Sequence, residues 1–224
     1  MKDVIFICEG ITETSLLCKI FEKEDIELIK DYEKFDKYSE KIKEIGKSKK
    51  FIIKIANLNG IDKKKEFKNR FIKLKEKELE NIEKVIFIVD ADYTGKNGGF
   101  ENREKAWNAF KKSLEEELSA YNIDYKFYIM PDNENDGMSE NLLMESLKCR
   151  EICEYINNVT IPHILKLPLC NIKNEAKSAF TMIAATQEPV KPKPSYFLDK
   201  FFDEMIDYNN EKIKKFRDFI INNI

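Results

Sequence analysis

The sequence predicts an α/β fold: a mostly parallel, four-stranded sheet flanked by helices and followed by a helical C-terminal extension. Apolar runs at residues 3–8 and 85–90 have the uninterrupted composition of strands that are covered on both faces. Further strands are predicted at residues 51–57 and 125–130, and stretches with helical periodicity separate the four. Strands that alternate with helices in this way are typical of a parallel sheet with crossover connections.

The helices between the strands are predicted from apolar spacing and from residues suited to cap a helix. Thr12 is placed to cap a helix after the first strand, and Asp62 to cap a long helix that ends near Asn81. Residues 101–121 carry apolar side chains at helical spacing and predict a third helix. A helix therefore follows each of the first three strands.

Residues 25–50 are rich in Lys and Glu, and their periodicity is weak. They predict a short strand near residues 26–29 and a short helix near residues 38–45. After the fourth strand the pattern is helical and predicts no further strand. We therefore expect an α/β domain at residues 1–150 and a helical extension at residues 151–224, packed on or beside it.

The composition argues against several classes of protein. Lys and Arg number 39 against 41 Asp and Glu, so the net charge of -2 does not predict a chain that binds nucleic acid over its whole surface. The five cysteines form no CxxC pair and there is one histidine, which argues against a zinc site and against Ser-His catalysis. No apolar stretch approaches the roughly twenty residues that span a bilayer. We expect a cytoplasmic protein with free thiols and no membrane partner.

Acidic residues follow two of the apolar strands, and they are the candidate functional site. Glu9 follows the first strand, and Asp90 and Asp92 end the third. The carboxyl ends of parallel strands meet at one edge of a sheet, so these acids should share a crevice. In an extended chain Asp90 and Asp92 would project to the same side, roughly 7 Å apart. Converging carboxylates offer hard oxygen ligands, which favour the binding of Mg²⁺ or Mn²⁺. The alternative is that Asp90 and Asp92 simply begin a turn, where Asp is common.

Glu9 and its neighbours suggest proton transfer as well as metal binding. A glutamate among other acids has a raised pKa, which suits it to give or take a proton at neutral pH. Gly10 would let the backbone turn sharply or approach a substrate closely. Glu13 is either a surface acid in the first turn of a helix, the interpretation we favour narrowly, or a further ligand.

These motifs resemble those of the Toprim domain, which is shared by topoisomerases, bacterial primases and several nucleases. The resemblance rests on Glu9-Gly10-Ile11-Thr12-Glu13 after one strand and on Asp90-Ala91-Asp92 after a later one, within residues 1–147. The first motif is closest to that of the overcoming-lysogenization-defect nucleases and of small stand-alone Toprim proteins. The resemblance implies a Toprim, Rossmann-like fold and Mg²⁺-dependent phosphodiester chemistry on DNA or RNA, with Mn²⁺ as a second suitable ion.

The resemblance also implies roles for single residues. Glu9 would be the general acid or base, and the metal ligands would be Asp90, Asp92, Glu13 and an acid at a later helix start. Glu140 is our candidate for that acid, with Asp136 as its competitor. Substrate binding would fall to Gly10 and to a later lysine, Lys173 or Lys177. A second copy of the chain or a partner protein could supply specificity.

Two other functions remain open from the sequence. The run from Asp90 to Thr94 also resembles the nucleophile motif of haloacid-dehalogenase-type phosphatases, with Asp90 as nucleophile and Asp92 as acid or base. Asp132 and Asp136 have the spacing of the later acidic pair in those enzymes, but their nucleophile motif opens the domain, whereas here another acid-ended strand precedes it. The third hypothesis is an interaction module that binds metal without catalysis.

Overall fold

The computed structural model describes residues 1–24, 26–28, 42–60, 63–95, 98–168, 170–190 and 193–224. Within these ranges it is an α/β structure with a six-stranded, mostly parallel sheet. The strands are β1 (Lys2–Cys8), β2 (Glu27–Leu28), β3 (Lys43–Lys47), β4 (Phe51–Asn57), β5 (Ile82–Asp90) and β6 (Asp124–Met130).

The strand order is β2-β3-β4-β1-β5-β6. The four predicted strands form the parallel part, β4-β1-β5-β6, but the prediction of a four-stranded sheet is wrong because β2 and β3 extend one edge in antiparallel fashion. Strand β2 confirms the short strand expected near residues 26–29. Residues 43–45 belong to β3, so the helix expected at residues 38–45 is wrong there, and residues 38–41 lie outside the described part.

The helices are described with their bounds, and the first two differ from the prediction. Helix α1 begins at Ile11 and is capped by Gly10, so Thr12 lies inside it. The long helix expected up to Asn81 is divided in two, and Asp62 lies outside the described residues. The helices are α1 (Ile11–Lys23), α2 (Lys64–Phe71), α3 (Glu76–Asn81), α4 (Phe100–Glu117), α5 (Ser139–Glu145), α6 (Arg150–Tyr155), α7 (Ile161–Ile164), α8 (Glu175–Ala185), α9 (Pro194–Met205) and α10 (Glu211–Ile221), with a π-helical segment (Ile156–Thr160) between α6 and α7.

The sheet has a hydrophobic core on each face because successive strand residues point to opposite sides. In β1, Phe6 and Cys8 join the core with α1, α5, α8, α9 and α10, which we call the first face. Ile5 and Ile7 join the core with α2, α3 and α4, the second face. Both faces of β1 are therefore buried, as the uninterrupted apolar run predicts.

The C-terminal helices complete the first face and do not stand apart from the sheet. The ring of Phe216 on α10 lies 4.9 Å from that of Tyr128 on β6, centroid to centroid. Backbone bonds also join the two parts of the chain, from Asp207 N to Ser146 O (2.7 Å) and from Lys148 N to Met205 O (2.8 Å). Residues after 150 thus share one core with the strands.

The structure also bears on membrane-spanning helices and on the state of the cysteines. In the described part of the chain, none of the helices is both long and apolar enough to cross a membrane. The five cysteines are free, as expected, although Cys149 and Cys170 are exposed.

Candidate functional site

The candidate site lies at the carboxyl ends of β1 and β5, which are adjacent in the sheet. After β1 the chain continues into α1 on the first face, and after β5 into α4 on the second face. The connections from neighbouring strands therefore leave on opposite sides, and this arrangement opens a crevice at the strand ends. Glu9 follows β1 and Asp90 ends β5, so the fold brings together the two strand ends that the sequence singled out.

Four carboxylates meet in this crevice, and we call Glu9, Glu13, Asp90 and Glu140 the carboxylate cluster. Glu9 Oε2 accepts a hydrogen bond from Asp90 N at 3.2 Å, which joins the two strands at the site. Ser139, at the start of α5, donates from its N–H to Asp90 Oδ1 at 2.8 Å and from its hydroxyl to Glu13 Oε1. Its Oγ also lies 3.5 Å from Glu140 Oε2. One buried serine therefore links three of the four acids.

Glu13 is buried, with 3% of its surface exposed, so the surface interpretation that we favoured for it is wrong. Its Oε2 accepts a hydrogen bond from Gly10 N at 2.7 Å, which is the bond that the acid of a capping box makes; glycine has no side chain for the second bond. A Cβ atom added to Gly10 would lie 2.9 Å from that same oxygen. Gly10 is therefore needed for the close approach of the Glu13 carboxylate, and its φ of -140° needs no glycine.

The acids perturb one another because they are buried together. Burial, followed by the charge of Glu13, raises the pKa of Glu9 to about 7. Burial also raises the pKa of Glu140 to about 7, with Glu13 again contributing and Lys177 opposing. The pKa of Asp90 lies well above its ordinary range because of burial and then the charges of Glu13, Glu9 and Glu140. At neutral pH the cluster therefore retains protons that isolated acids would lose.

Asp92 lies beside the cluster but is oriented differently from the prediction. Its φ is +58°, in the left-handed region, so the chain turns there and the expectation of an extended Asp90–Asp92 pair is wrong. The Asp92 carbonyl accepts a hydrogen bond from Gly137 N at 2.9 Å, which fixes the turn. The carboxylate is ion-paired with Arg103 in the first turns of α4. Asp90 and Asp92 thus have separate partners.

Two cations border the acids from opposite faces of the sheet. Arg103 belongs to α4 on the second face, and Lys177 to α8 on the first. Burial acts to lower the pKa of Lys177, but Glu140, Asp90, Glu13 and Asp92 together raise it, so this lysine stays protonated. Lys173 and Lys177 are both exposed, and the charge of Lys177 acts on Glu140 in the cluster.

Asp136 and Asp132 have structural roles outside the cluster. Asp136 accepts hydrogen bonds from Thr94 N at 3.0 Å and from Phe100 N at 2.7 Å, and it also bonds to the Thr94 hydroxyl. It thereby caps α4 and ties two loops together. Asp132 accepts from Asn135 and is 3.2 Å from Lys212 Nζ on α10. Of the two candidates for the later acid, Glu140 lies in the cluster, whereas Asp136 lies at the start of α4.

The acids of the carboxylate cluster are potential metal ligands, and their oxygens accept hydrogen bonds from the protein itself. Within the ranges described, no three Asp, Glu, His or Cys side chains are arranged as a ready-made metal site. Asp90 and Glu13 accept hydrogen bonds from Ser139, and Asp92 is paired with Arg103. The potential ligand atoms are all carboxylate oxygens, which suit a hard divalent cation. Burial first, and then neighbouring acids, raise the pKa values of Glu9, Asp90 and Glu140.

One comparison with known proteins identifies the family. A family described as "Protein of unknown function (DUF3226)" matches residues 3–223. The chain belongs to the DUF3226 family. The match extends over the sheet, the carboxylate cluster and the C-terminal helices of this DUF3226 chain. No curated protein and no solved structure matches it.

Three polar residues at the candidate site of this DUF3226 chain were not predicted from the sequence. Ser139 and Arg103 both lie in the first turns of helices, where polar residues are common, so neither stood out. Asn57 ends β4 beside Glu9, is buried, and donates to Thr14 Oγ1 at 3.2 Å. The available signal was position: Asn57 follows an apolar strand just as Glu9 and Asp90 do.

Proposed function

We propose that the chain is a nuclease of the Toprim type that carries out Mg²⁺-dependent phosphodiester hydrolysis on nucleic acid. The observation that carries the proposal is the carboxylate cluster itself. Acids that end two adjacent parallel strands meet two further buried acids, and three of the four have raised pKa values. Such perturbed groups concentrate at functional sites, because a merely structural core gains nothing from packing acids against one another.

The residues present fit a divalent cation, with Asp90, Asp92, Glu13 and Glu140 as the oxygen donors that would hold it. When bound, a Mg²⁺ or Mn²⁺ ion supplies positive charge that stabilises the negative charge developing on a phosphate. Lys177, whose charge is stabilised by Glu140 and Asp90, would bind a phosphate oxygen.

Glu9 is the group suited to move the proton. In hydrolysis a water oxygen bonds to phosphorus, one phosphorus–oxygen ester bond breaks, and the water gives up a proton while the leaving oxygen gains one. A carboxyl with a pKa of about 7 can accept the first proton or donate the second at neutral pH. Glu9 also contacts the backbone of Asp90, so its side chain is held at the strand ends where the other acids meet.

The geometry gives the phosphatase hypothesis no comparable support. A nucleophilic aspartate needs a free carboxylate oxygen facing the substrate, whereas Asp90 is buried and its Oδ1 accepts a hydrogen bond from Ser139 N at 2.8 Å. Asp92, which would act as acid or base, is ion-paired with Arg103. The Thr94 hydroxyl bonds to Asp136, and Asp132 is paired with Lys212 on α10.

Cleavage assays on the purified chain test the proposal. Labelled single-stranded DNA, duplex DNA and RNA would be incubated with Mg²⁺, Mn²⁺ or a chelator. We expect metal-dependent cleavage that is lost in Glu9→Gln and Asp90→Asn and kept in Glu204→Gln, which changes an exposed acid on α9.

Three other results would contradict the proposal. Cleavage unchanged in Glu9→Gln would place the activity elsewhere. Hydrolysis of a phosphate monoester with a trapped aspartyl phosphate at Asp90 would favour the phosphatase, and metal binding without any turnover would favour the interaction module. Size-exclusion chromatography of the active fraction would show whether the species that cleaves is a single chain or a dimer.

A further inference from the structure

Arg103 is the counter-ion of Asp92, a residue that we predict to be a metal ligand. Its Nη2 donates to Asp92 Oδ2, and its Nε donates to the carbonyl oxygen of Ala91 at 3.3 Å. The Arg103 side chain is 13% exposed, so most of it is removed from water. It therefore occupies the one carboxylate of the predicted ligand set that the carboxylate cluster does not include.

A divalent cation and Arg103 would compete for the same carboxylate, that of Asp92. Arginine does not lose its proton in proteins, so it is a permanent competitor for that carboxylate. The Asp92 backbone is fixed by its bond from Gly137 N, whereas Arg103 reaches Asp92 through a long side chain from α4. When a second cation arrives, the guanidinium is thus the group that moves.

A displaced Arg103 has an evident new partner if the proposed function is correct. It would stay tethered to α4 on the second face, across the strand ends from Lys177 of the first face. A guanidinium matches the oxygens of a phosphate group with parallel hydrogen bonds. The chemical class that satisfies it is therefore a phosphodiester held between the two faces of the sheet.

We infer that Arg103 changes partners during the reaction: it neutralises Asp92 in the metal-free protein and binds a phosphate oxygen of the substrate once the carboxylates hold a divalent cation. The inference rests on the proposed function. It adds Arg103 as a substrate-binding residue and a way in which metal binding and substrate binding are coupled. Metal binding and phosphate binding would be linked, since the ion releases the group that grips the substrate.

Mn²⁺ titration calorimetry on the metal-free protein, combined with cleavage at saturating Mn²⁺, tests this exchange. For Arg103→Gln we expect Mn²⁺ to bind about 5- to 10-fold more tightly, because the competing cation is gone. Cleavage by the same variant should fall about 100-fold, because the phosphate loses a charged donor. Lys105→Gln, at an exposed position of the same helix, should change neither quantity.

Arg103→Lys guards against a variant that simply fails to fold. It keeps the competing charge, so Mn²⁺ affinity should stay within about 2-fold of the original, but it cannot reproduce the planar guanidinium contacts, so cleavage should still fall. Equal or weaker Mn²⁺ binding by a folded Arg103→Gln would overturn the inference while leaving the nuclease in place. Unchanged cleavage would also overturn it. A wild-type chain that neither binds Mn²⁺ nor cleaves would overturn both proposals.

Discussion

At the scale of single residues, the carboxylate cluster lowers the stability of the fold that holds it. Asp90 and Glu140 are each less than 10% exposed, and ionising either one in the cluster costs more free energy than ionising it in water. Ser139 offsets part of this cost by donating two hydrogen bonds. Sites that retain such strain are expected where binding or catalysis depends on it.

The pH dependence of unfolding should report the strain at Glu9 and Glu140. Their pKa rises from 4.5 in the unfolded chain to about 7 in the folded one, so the folded state binds more protons between these values. Stability should therefore fall as pH rises through the window from 4.5 to 7. In chelator, Glu9→Gln and Glu140→Gln should each raise the free energy of unfolding at pH 8 by about 1–3 kcal/mol and leave it nearly unchanged near pH 4.

Urea denaturation at a series of pH values is the measurement, and Glu204→Gln is the matched control. The control should reproduce the wild-type profile. A double variant, Glu9→Gln with Glu140→Gln, whose profile ran parallel to that of the wild type would show that these two groups do not titrate in the folded cluster.

The sequence was informative about Glu9 and Asp90 and uninformative about Arg103, for a physical reason. The first two end apolar strands, and the rule that strand ends converge needs only the order of elements. Arg103 reaches the site because α4 begins close to the turn at Asp92, whose positive φ depends on a bond from the later residue Gly137. A contact fixed by three separate segments leaves no periodic signal.

At the scale of elements, the start of α5 organises the site. Its first residue, Ser139, binds Asp90 through the backbone and Glu13 through the side chain, so a short helix connects α1 with β5. Helix α5 is in turn packed against α8, which carries Lys177. Movement of α5 would therefore disturb acids and cation together.

Ser139→Ala should destabilise the protein although it removes a single oxygen atom. The Glu13 carboxylate would keep Gly10 N as a donor but lose the hydroxyl in a buried place, at a cost of about 1–3 kcal/mol. Chemical denaturation at pH 8 measures the change. Ser119→Ala, on the exposed end of the α4 region, should stay within about 0.5 kcal/mol of the wild type. An equally small effect at Ser139 would mean that its hydroxyl does not support Glu13.

The element that the sequence predicted least well is the antiparallel edge of the sheet. Strand β3 reads Lys-Glu-Ile-Gly-Lys and buries Ile45 and Gly46, so it has too few apolar residues to show a period. It pairs with β4 on one side and, through Gly46 and Lys47, with the two-residue edge strand β2 on the other, so it lies near the sheet edge, where strands are often polar. The interior strands β1 and β5 were predicted correctly because burial on both faces demands an unbroken apolar run.

At the scale of the whole molecule, the two cores are joined through the sheet and should unfold together. Phe216 is fully buried against Tyr128 on the first face, while Trp107 lies on the second. Phe216→Ala should lower the free energy of unfolding by about 3–5 kcal/mol. The midpoint should shift equally in Trp107 fluorescence and in far-UV circular dichroism, because two probes of one transition coincide.

The control for this variant is Lys215→Ala, which removes an exposed ion pair with Glu134 and should cost less than about 1 kcal/mol. If Phe216→Ala shifted the circular dichroism transition and left the Trp107 transition in place, the C-terminal helices would form an independent unit. Residues 151–224 would then be an appended domain after all.

The shared core also determines when the protein can fold during its synthesis. A ribosome releases the chain from its amino terminus, so β1 and Glu9 emerge well before α10. Until α10 is free, Tyr128 lacks Phe216 and Phe219, the rings that pack against it. A nascent chain therefore exposes the apolar surface of β6 on the first face until α10 has been made.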